Sequence, residues 1–274
     1  MKKIAVVGMG IIGGSICAAL TKAGYVVDGF GRGEKSINCA LQMGYIHAKG
    51  EKLSDYDVVF IAVPARATLD YLDNAEFKDG ALVMDICGVK SAVEEMVYSK
   101  KRNYRYVGLH PMAGKETSGI ASASPDLFDK ANLIIAISKH TKEEDLAEVK
   151  SFASAMRFGK IVECSAQEHD AKIALTSQLA HIVSNAYVKS EQVPHCEGFT
   201  GGSFQDMTRI AGVDEKMWTE LYMYNRSFIL EELDGLIGHL SAYRDAIANS
   251  DEEALAKELR EGRLIRENIK RGND

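Results

Sequence analysis

Two short segments carry residue types that could do chemistry. The first is His110-Pro111-Met112-Ala113-Gly114, an imidazole at the end of the apolar run Tyr106-Val107-Gly108-Leu109, ahead of a proline and a glycine-rich loop. An imidazole titrates near neutral pH, so His110 at a strand end is a candidate proton acceptor for a hydride-transfer reaction. The second is Gly8-Met9-Gly10-Ile11-Ile12-Gly13, which follows Ile4-Ala5-Val6-Val7 and opens into the helical pattern Ile12, Ile16, Ala19, Leu20, Ala23, closed by Gly24. A G-x-G-x-x-G run is weak alone, but a strand before it and a helix after it give the context of a dinucleotide fingerprint. Gly8, Gly10 and Gly13 then allow the tight turn. With Ile11 and Ile12 they place a pyrophosphate on a helix N-terminus. The alternative is a glycine-rich turn with no ligand.

Further candidates lie where other strands end. In open parallel sheets ligands bind at the carboxyl ends of the strands. Val63 and Pro64 close the run that starts at Asp57, and Gly88 lies in Asp85-Ile86-Cys87-Gly88-Val89-Lys90, so these residues should face the nicotinamide end of a cofactor. The second strand runs Val26-Val27-Asp28-Gly29-Phe30 and ends at Gly31-Arg32, followed by Lys35 and Ser36. An NAD-binding domain places Asp or Glu at that end for the ribose hydroxyls, whereas an arginine accommodates a 2′-phosphate. Asp28 comes before the strand end. Gly31 and Arg32 therefore favour NADP, with NAD or dual use as the alternative and Arg32 as a solvated charge the plainest reading.

Later in the chain, Thr176-Ser177-Gln178-Leu179-Ala180-His181 precedes Gly201-Gly202-Ser203-Phe204-Gln205-Asp206-Met207-Thr208-Arg209-Ile210. A double glycine close to an arginine suits a bound anion, because backbone donors approach while a guanidinium forks a carboxylate. His181 read alone could be a helix-core histidine, Arg209 a salt-bridge partner of Asp206, and Trp218, the single tryptophan, a core residue.

The elements that must position these residues alternate in type. Strand signals at Tyr25-Val27, Asp57-Pro64, Ala81-Asp85, Tyr106-Leu109, Asn132-Ile137 and Lys160-Glu163 interleave with helical patterns, among them Ser36 to Met43 and Lys142 to Phe158. From Ser165 strand signals vanish and helical periodicity runs to Ile269. The pattern predicts an α/β fold, a Rossmann-type doubly wound amino-terminal domain over residues 1–164, followed by an all-helical domain over 165–274. A helical domain this small buries little core of its own, which predicts a homodimer through the helices. Met112 to Asp129, rich in Gly, Ser and Ala, reads as a functional loop.

Composition narrows the classes. The chain has 274 residues, 46% hydrophobic and 26% charged, with a net charge of -6 and no basic arm, which argues against a nucleic-acid partner. Five cysteines without paired metal-ligand spacing suggest reduced thiols and no metal site. With no apolar segment long enough for export or spanning, a cytoplasmic protein without membrane contact is expected.

Taken together, Gly8 to Gly13, Asp85 to Lys90, His110 to Gly119, Ser177 to His181 and Gly201 to Trp218 closely resemble, in order, the prephenate and arogenate dehydrogenases of tyrosine biosynthesis. The resemblance implies a small-molecule substrate in the cleft between the two domains and oxidative decarboxylation of a cyclohexadienol, with hydride passing to a nicotinamide cofactor. It implies that neutral His110 bonds the ring hydroxyl and takes its proton. It also implies that Arg209 holds the ring carboxylate, that His181 is a second active-site histidine, and that Glu116 is an acidic residue near the entrance. Gly201, Gly202 and Gln178 join the substrate contacts. Two departures stand out. Many members have Ser-Val-Lys where this chain has Gly88-Val89-Lys90, so the orientation of His110 must depend on water, backbone or another side chain. Many also have a second histidine where Gln178 stands, and an amide does not titrate. Other readings are a β-hydroxyacid or pyrroline-carboxylate oxidoreductase, or a non-catalytic dinucleotide-binding sensor.

Overall fold

The computed structural model describes residues 2–114 and 117–271. Eight strands form one sheet: β1 (Ile4–Val7), β2 (Val27–Phe30), β3 (Ala48–Lys49), β4 (Val58–Ile61), β5 (Leu82–Asp85), β6 (Arg105–Met112), β7 (Asn132–Ala136) and β8 (Lys160–Cys164). Their order is β3-β2-β1-β4-β5-β6-β7-β8, and every pairing is parallel except β6 with β7. Helices α1 (Ile11–Lys22), α2 (Glu34–Gln42), α3 (Ala65–Asn74), α4 (Ser91–Tyr98) and α5 (Glu143–Ala155) connect them. Two buried clusters, one around Phe60, Met84 and Phe128 and one around Ile61, Val83 and Val93, fill the layers. Strands β1, β4 and β5 are buried at every position because both faces carry helices, which is why they read as unbroken apolar runs.

Chain reversal between β2-β1 and β4 puts the topological switch point beside the first turn. That turn is closed on one side and open on the other. Gly8 has φ of 102°, and a Cβ there would lie 2.1 Å from the Ala62 carbonyl oxygen; one on Gly13 would lie 1.9 Å from the Gly8 oxygen. A Cβ on Gly10 would meet nothing within 4 Å. Gly10 is also the N-cap of α1 and supplies no side-chain cap, so the first-turn N–H groups remain for an anion.

One strand differs from the sequence expectation. Strand β6 does not stop at Leu109 but runs through His110 to Met112. Its parallel partner β5 accompanies it only to Gly108, and β7 extends it, with His110 opposite Ile134 and Pro111 opposite Leu133. Beyond β5 the strand has a free edge, where proline's missing N–H is tolerated. His110 therefore stands two residues past the carboxyl end of β5, on a braced strand.

After the sheet come α6 (Ala166–Ile173), a π-helical stretch (Ala174–Leu179), α7 (Ala180–Tyr187), α8 (Gly202–Thr208), α9 (Glu215–Tyr224), α10 (Arg226–Ala248) and α11 (Glu252–Arg271). The helical run is not continuous: 188–201 holds only a short 3-10 turn, and 209–214 is irregular. Both buried clusters belong to the sheet layers, with Leu221 and Tyr224 of α9 packed against one of them. Helices α10 and α11 leave Ile237, Leu240, Ile247, Leu259 and Ile265 more than half exposed. Among the described residues no helix is long and apolar enough to cross a membrane.

The turn yields a paired expectation. Gly8→Ala should lower stability by more than about 1 kcal/mol, since alanine disfavours a positive φ and its Cβ has no space. Gly10→Ala should cost under about 1 kcal/mol yet weaken dinucleotide binding, because its Cβ enters the open side. Thermal denaturation and a dinucleotide titration of both variants check this; equal stability losses would contradict it.

Candidate active site

His110 is half-buried, and its Nδ1 lies 2.8 Å from Nε2 of His169. His169 is buried on α6 and places its Nδ1 2.7 Å from Oδ1 of Asp170. Helix α6 is set by Ser165, whose hydroxyl accepts from the Glu168 N–H, which fixes the turn that aims both residues at the sheet. Asp170 also accepts from the backbone N–H groups of Lys90 and Ser91, each at 2.8 Å. Helix α4 has no cap of its own at Lys90, so a carboxylate from the helical half satisfies its N-terminus.

Beneath this chain of bonds is a second buried group. Lys90, 1% exposed, pairs with Asp85, which is fully buried. Tyr106 donates its hydroxyl to Asp85 Oδ2 at 2.6 Å, and the Cys87 N–H donates to Oδ1. Burial and the Asp85 carboxylate push the Tyr106 phenol well above its usual range. The pKa of His110 is driven well below the ordinary imidazole value, by burial first and then by the neighbouring His169 and Lys90. Burial also lowers His169, against the opposing pull of Asp170. Burial raises Asp170, but its bonds from His169 and Ser91 outweigh this and hold it below the usual carboxylate range. The arrangement presents a neutral imidazole whose Nε2 has no hydrogen-bond partner among the described residues.

In the helical half, His181 is held through α9, which also packs on the sheet domain. Helix α9 lays Leu221 over Gly88, where a Cβ would meet Leu221 Cδ2 at 3.4 Å, and its Glu220 accepts from the Arg66 N–H at the start of α3. Trp218, one turn earlier on α9, packs on the ring of His181 with centroids 4.0 Å apart. His181 Nδ1 donates to the Ile210 carbonyl at 2.9 Å, and burial, with Arg209 nearby, lowers its pKa. Arg209, Gly201 and Gly202 are exposed, and added Cβ atoms on the two glycines would meet nothing within 4 Å.

Gln178 departs from its expected place among open ligand contacts. It is 2% exposed on the π-helical stretch, and its Oε1 accepts from Asn225, which also donates to the Asp170 carbonyl. The extra residue of the π turn rotates this amide into the interior, where it ties α10 to α6. Glu116 lies outside the described residues.

On the cofactor side Val63 is half-buried and Pro64 is the exposed N-cap of α3, next to the Gly8 turn. Gly31 follows the end of β2, with exposed Arg32 after it. Asp28 lies two residues before that end; its Oδ2 accepts from the Tyr56 hydroxyl at 2.8 Å, while its buried Oδ1 has no hydrogen-bond partner among the described residues. His169 and Asp170 were missed by the sequence reading. Their adjacency behind Ser165 is visible, but no spacing rule joins them to a histidine 59 residues away.

Residues 16–162 match the family model for the prephenate dehydrogenase nucleotide-binding domain, and residues 165–261 match that for the prephenate dehydrogenase dimerization domain. The chain belongs to the prephenate dehydrogenase family. It is 29% identical to the prephenate dehydrogenase of Lactococcus lactis over 97% of this chain and 77% of the relative. It is 28% identical to the cyclohexadienyl dehydrogenase of Zymomonas mobilis over 100% of this chain and 98% of the relative. The solved prephenate dehydrogenase of A. aeolicus, in complex with hydroxyphenyl propionate and NAD+, superposes with a TM-score of 0.84 at 26% identity, covering 98% of each chain. In this family setting the two halves are a nucleotide-binding and a dimerization domain by description, and the Rossmann-type sheet followed by helices matches the solved relative.

The depressed histidines set a pH dependence. His110, His169 and His181 stay neutral in the fold, whereas the unfolded chain takes up their protons near pH 6.5. The unfolded state then binds more protons, so stability rises with pH and is lost as pH falls below that value. Chemical denaturation between neutral and mildly acidic pH should show this slope, with His110→Asn flattening part of it. A slope unchanged in the variant would contradict the buried neutral assignment.

Proposed function

We propose that the chain catalyses the oxidative decarboxylation of prephenate, arogenate or both, giving 4-hydroxyphenylpyruvate or tyrosine, with His110 as the base. The observation that carries this reading is the neutral His110, with Nδ1 occupied and Nε2 left for a ligand, at the carboxyl edge of the sheet. Family membership and the names of the relatives support the reaction class.

The residues fit a bound dinucleotide: the open side of Gly10 and the uncapped first turn of α1 would take the pyrophosphate, with Gly8, Ile11, Ile12 and Gly13 around it. Val63, Pro64 and Gly88 would line the nicotinamide end. When bound, the nicotinamide accepts hydride from the ring carbon that carries the hydroxyl. His110 takes the hydroxyl proton at Nε2 as the carbon–oxygen double bond forms. The ring carboxylate leaves as carbon dioxide, its bonding electrons complete the aromatic ring as the ring oxygen becomes a phenolate, and that oxygen recovers the proton from His110. Arg209 forks that carboxylate before it leaves, with the Gly201-Gly202 backbone close by and His181 bounding the pocket with its Nδ1 held by Ile210. Proton acceptance is worth about 10² to 10⁴ in rate.

NADP is the proposed cofactor, with NAD or dual use as the other outcomes. Gly31 carries no carboxylate to repel a 2′-phosphate, Asp28 stands two residues before the strand end with its Oδ2 held by Tyr56, and exposed Arg32 offers a planar fork. The exposed apolar faces of α10 and α11 support a homodimer through the helical half, in line with the description of that domain. The domains divide near 165, and the protein acts in the cytoplasm.

Cofactor reduction, followed by near-ultraviolet absorbance with prephenate and arogenate in parallel, tests the reading. We expect turnover with at least one substrate, and His110→Ala to lower kcat by about 10² to 10⁴ while dinucleotide affinity survives. Near-wild-type kcat in the variant would remove His110 from the chemistry. NADP should give the higher kcat/KM, and Arg32→Ala should erase that advantage; preference for NAD in the wild type would refute it. Light scattering should report a dimer at micromolar concentration and a monomer for the double variant Ile237→Asp, Leu240→Asp, and a monomeric wild type would overturn the assembly.

A further inference from the structure

We propose that His169 and Asp170 are positioning residues that fix His110 in the tautomer with its proton on Nδ1, keeping Nε2 a bare acceptor. The catalytic consequence rests on the functional reading above; the tautomer itself does not.

The assignment follows from donor and acceptor bookkeeping. Asp170 receives N–H bonds from Lys90 and Ser91, and these favour its ionised form, which can only accept. His169 Nδ1, 2.7 Å away, must therefore carry a proton and donate it. A neutral imidazole then has a lone pair on Nε2. That lone pair faces His110 Nδ1 at 2.8 Å, and two lone pairs do not meet at that distance. His110 thus donates Nδ1–H, and its Nε2 is unprotonated. Protonating His169 as well would reverse the bond and leave His110 with Nε2–H, unable to act as a base.

The surroundings oppose that reversal. Lys90 faces the pair from the loop before α4 and is neutralised by Asp85, Tyr106 from β6 bonds Asp85, and Glu94 of α4 lies near Asp170. His169 itself is 1% exposed. The net environment favours one proton on each ring. When His110 takes a proton, its Nδ1–H bond to His169 becomes charge-assisted and the Asp170 carboxylate stabilises the cation through His169. The proton stays on His110 and does not pass to His169. The logic is that of an acid orienting a catalytic histidine, with a second imidazole inserted between them.

The orientation comes from the helical half, because among the described residues the side chain bonded to the His110 ring is His169 of α6. Gly88 presents only backbone, and the nearest group above it is the apolar Leu221. The base is therefore set only when α6 is docked on the N-terminus of α4.

Long-range ¹H–¹⁵N spectra of uniformly labelled wild-type protein near neutral pH read the tautomer, with His110→Asn and His169→Gln assigning the two rings among the seven histidines. We expect a protonated Nδ1 and a pyridine-like Nε2 on both. A protonated Nε2 on His110 would overturn the proposal whether or not the enzyme turns over. In kinetics, His169→Leu should lower kcat about a hundredfold or more with dinucleotide affinity unchanged. His169→Gln should recover at least tenfold of this, since its amide oxygen can stand where Nε2 stood. Wild-type kcat in His169→Leu, or no recovery in a folded His169→Gln, would contradict it. If His169→Leu fails to fold, the wild-type spectrum decides. An inactive wild type would sink the functional reading while leaving the tautomer measurable.

Discussion

The Asp170 carboxylate is the point on which the two halves of the chain depend. It caps α4 through two backbone N–H groups and holds His169 through a third bond, all in a dry setting. Hydrogen bonds to a charged group contribute about 1.5 to 3 kcal/mol each, and a buried carboxylate without them would be strongly unfavourable. One side chain thus joins a helix end, an imidazole pair and the contact between domains. The Asn225 amide extends the joint, linking the Asp170 carbonyl to Gln178 and α10 to α6.

From that joint the division of labour follows. The sheet supplies position: β6, braced by β7 past the end of β5, holds His110 at the carboxyl edge of the sheet, the edge at which the Gly8 turn follows β1. The helical half supplies His169, bonded to His110 from behind, and separately packs His181 on Trp218 with Arg209 nearby. Fixed dipoles gain in value where charge develops away from water. Buried Lys90 and Asp85 form a fixed pair beneath the base, which shapes the field without reaching the cleft themselves.

The parts legible in the sequence were those governed by local rules. Gly8 and Gly13 announce themselves because the tight strand-to-helix turn has no room for a Cβ at either, and the unbroken apolar runs of β1, β4 and β5 mark a sheet covered on both faces. The change to helices after Cys164 was equally visible. The extension of β6 to Met112 was not, because it depends on a partner strand more than twenty residues later, across a loop with no strand signal. The burial of Gln178 was not legible either, because its place among the substrate contacts came from the family resemblance, whereas its bond to Asn225 depends on how the π-helical stretch packs. His169 was invisible as an active-site residue, since only the docking of α6 on α4 brings it to His110.

The most direct test of the account is a structure of the ternary complex with a dinucleotide and a 4-hydroxyphenyl ligand. We expect the ligand hydroxyl within hydrogen-bond reach of His110 Nε2, about 2.6 to 3.2 Å, with His110 Nδ1 still bonded to His169. A ring hydroxyl turned toward His181, with His110 Nε2 facing protein or solvent, would contradict the central claim that His110 is the proton acceptor.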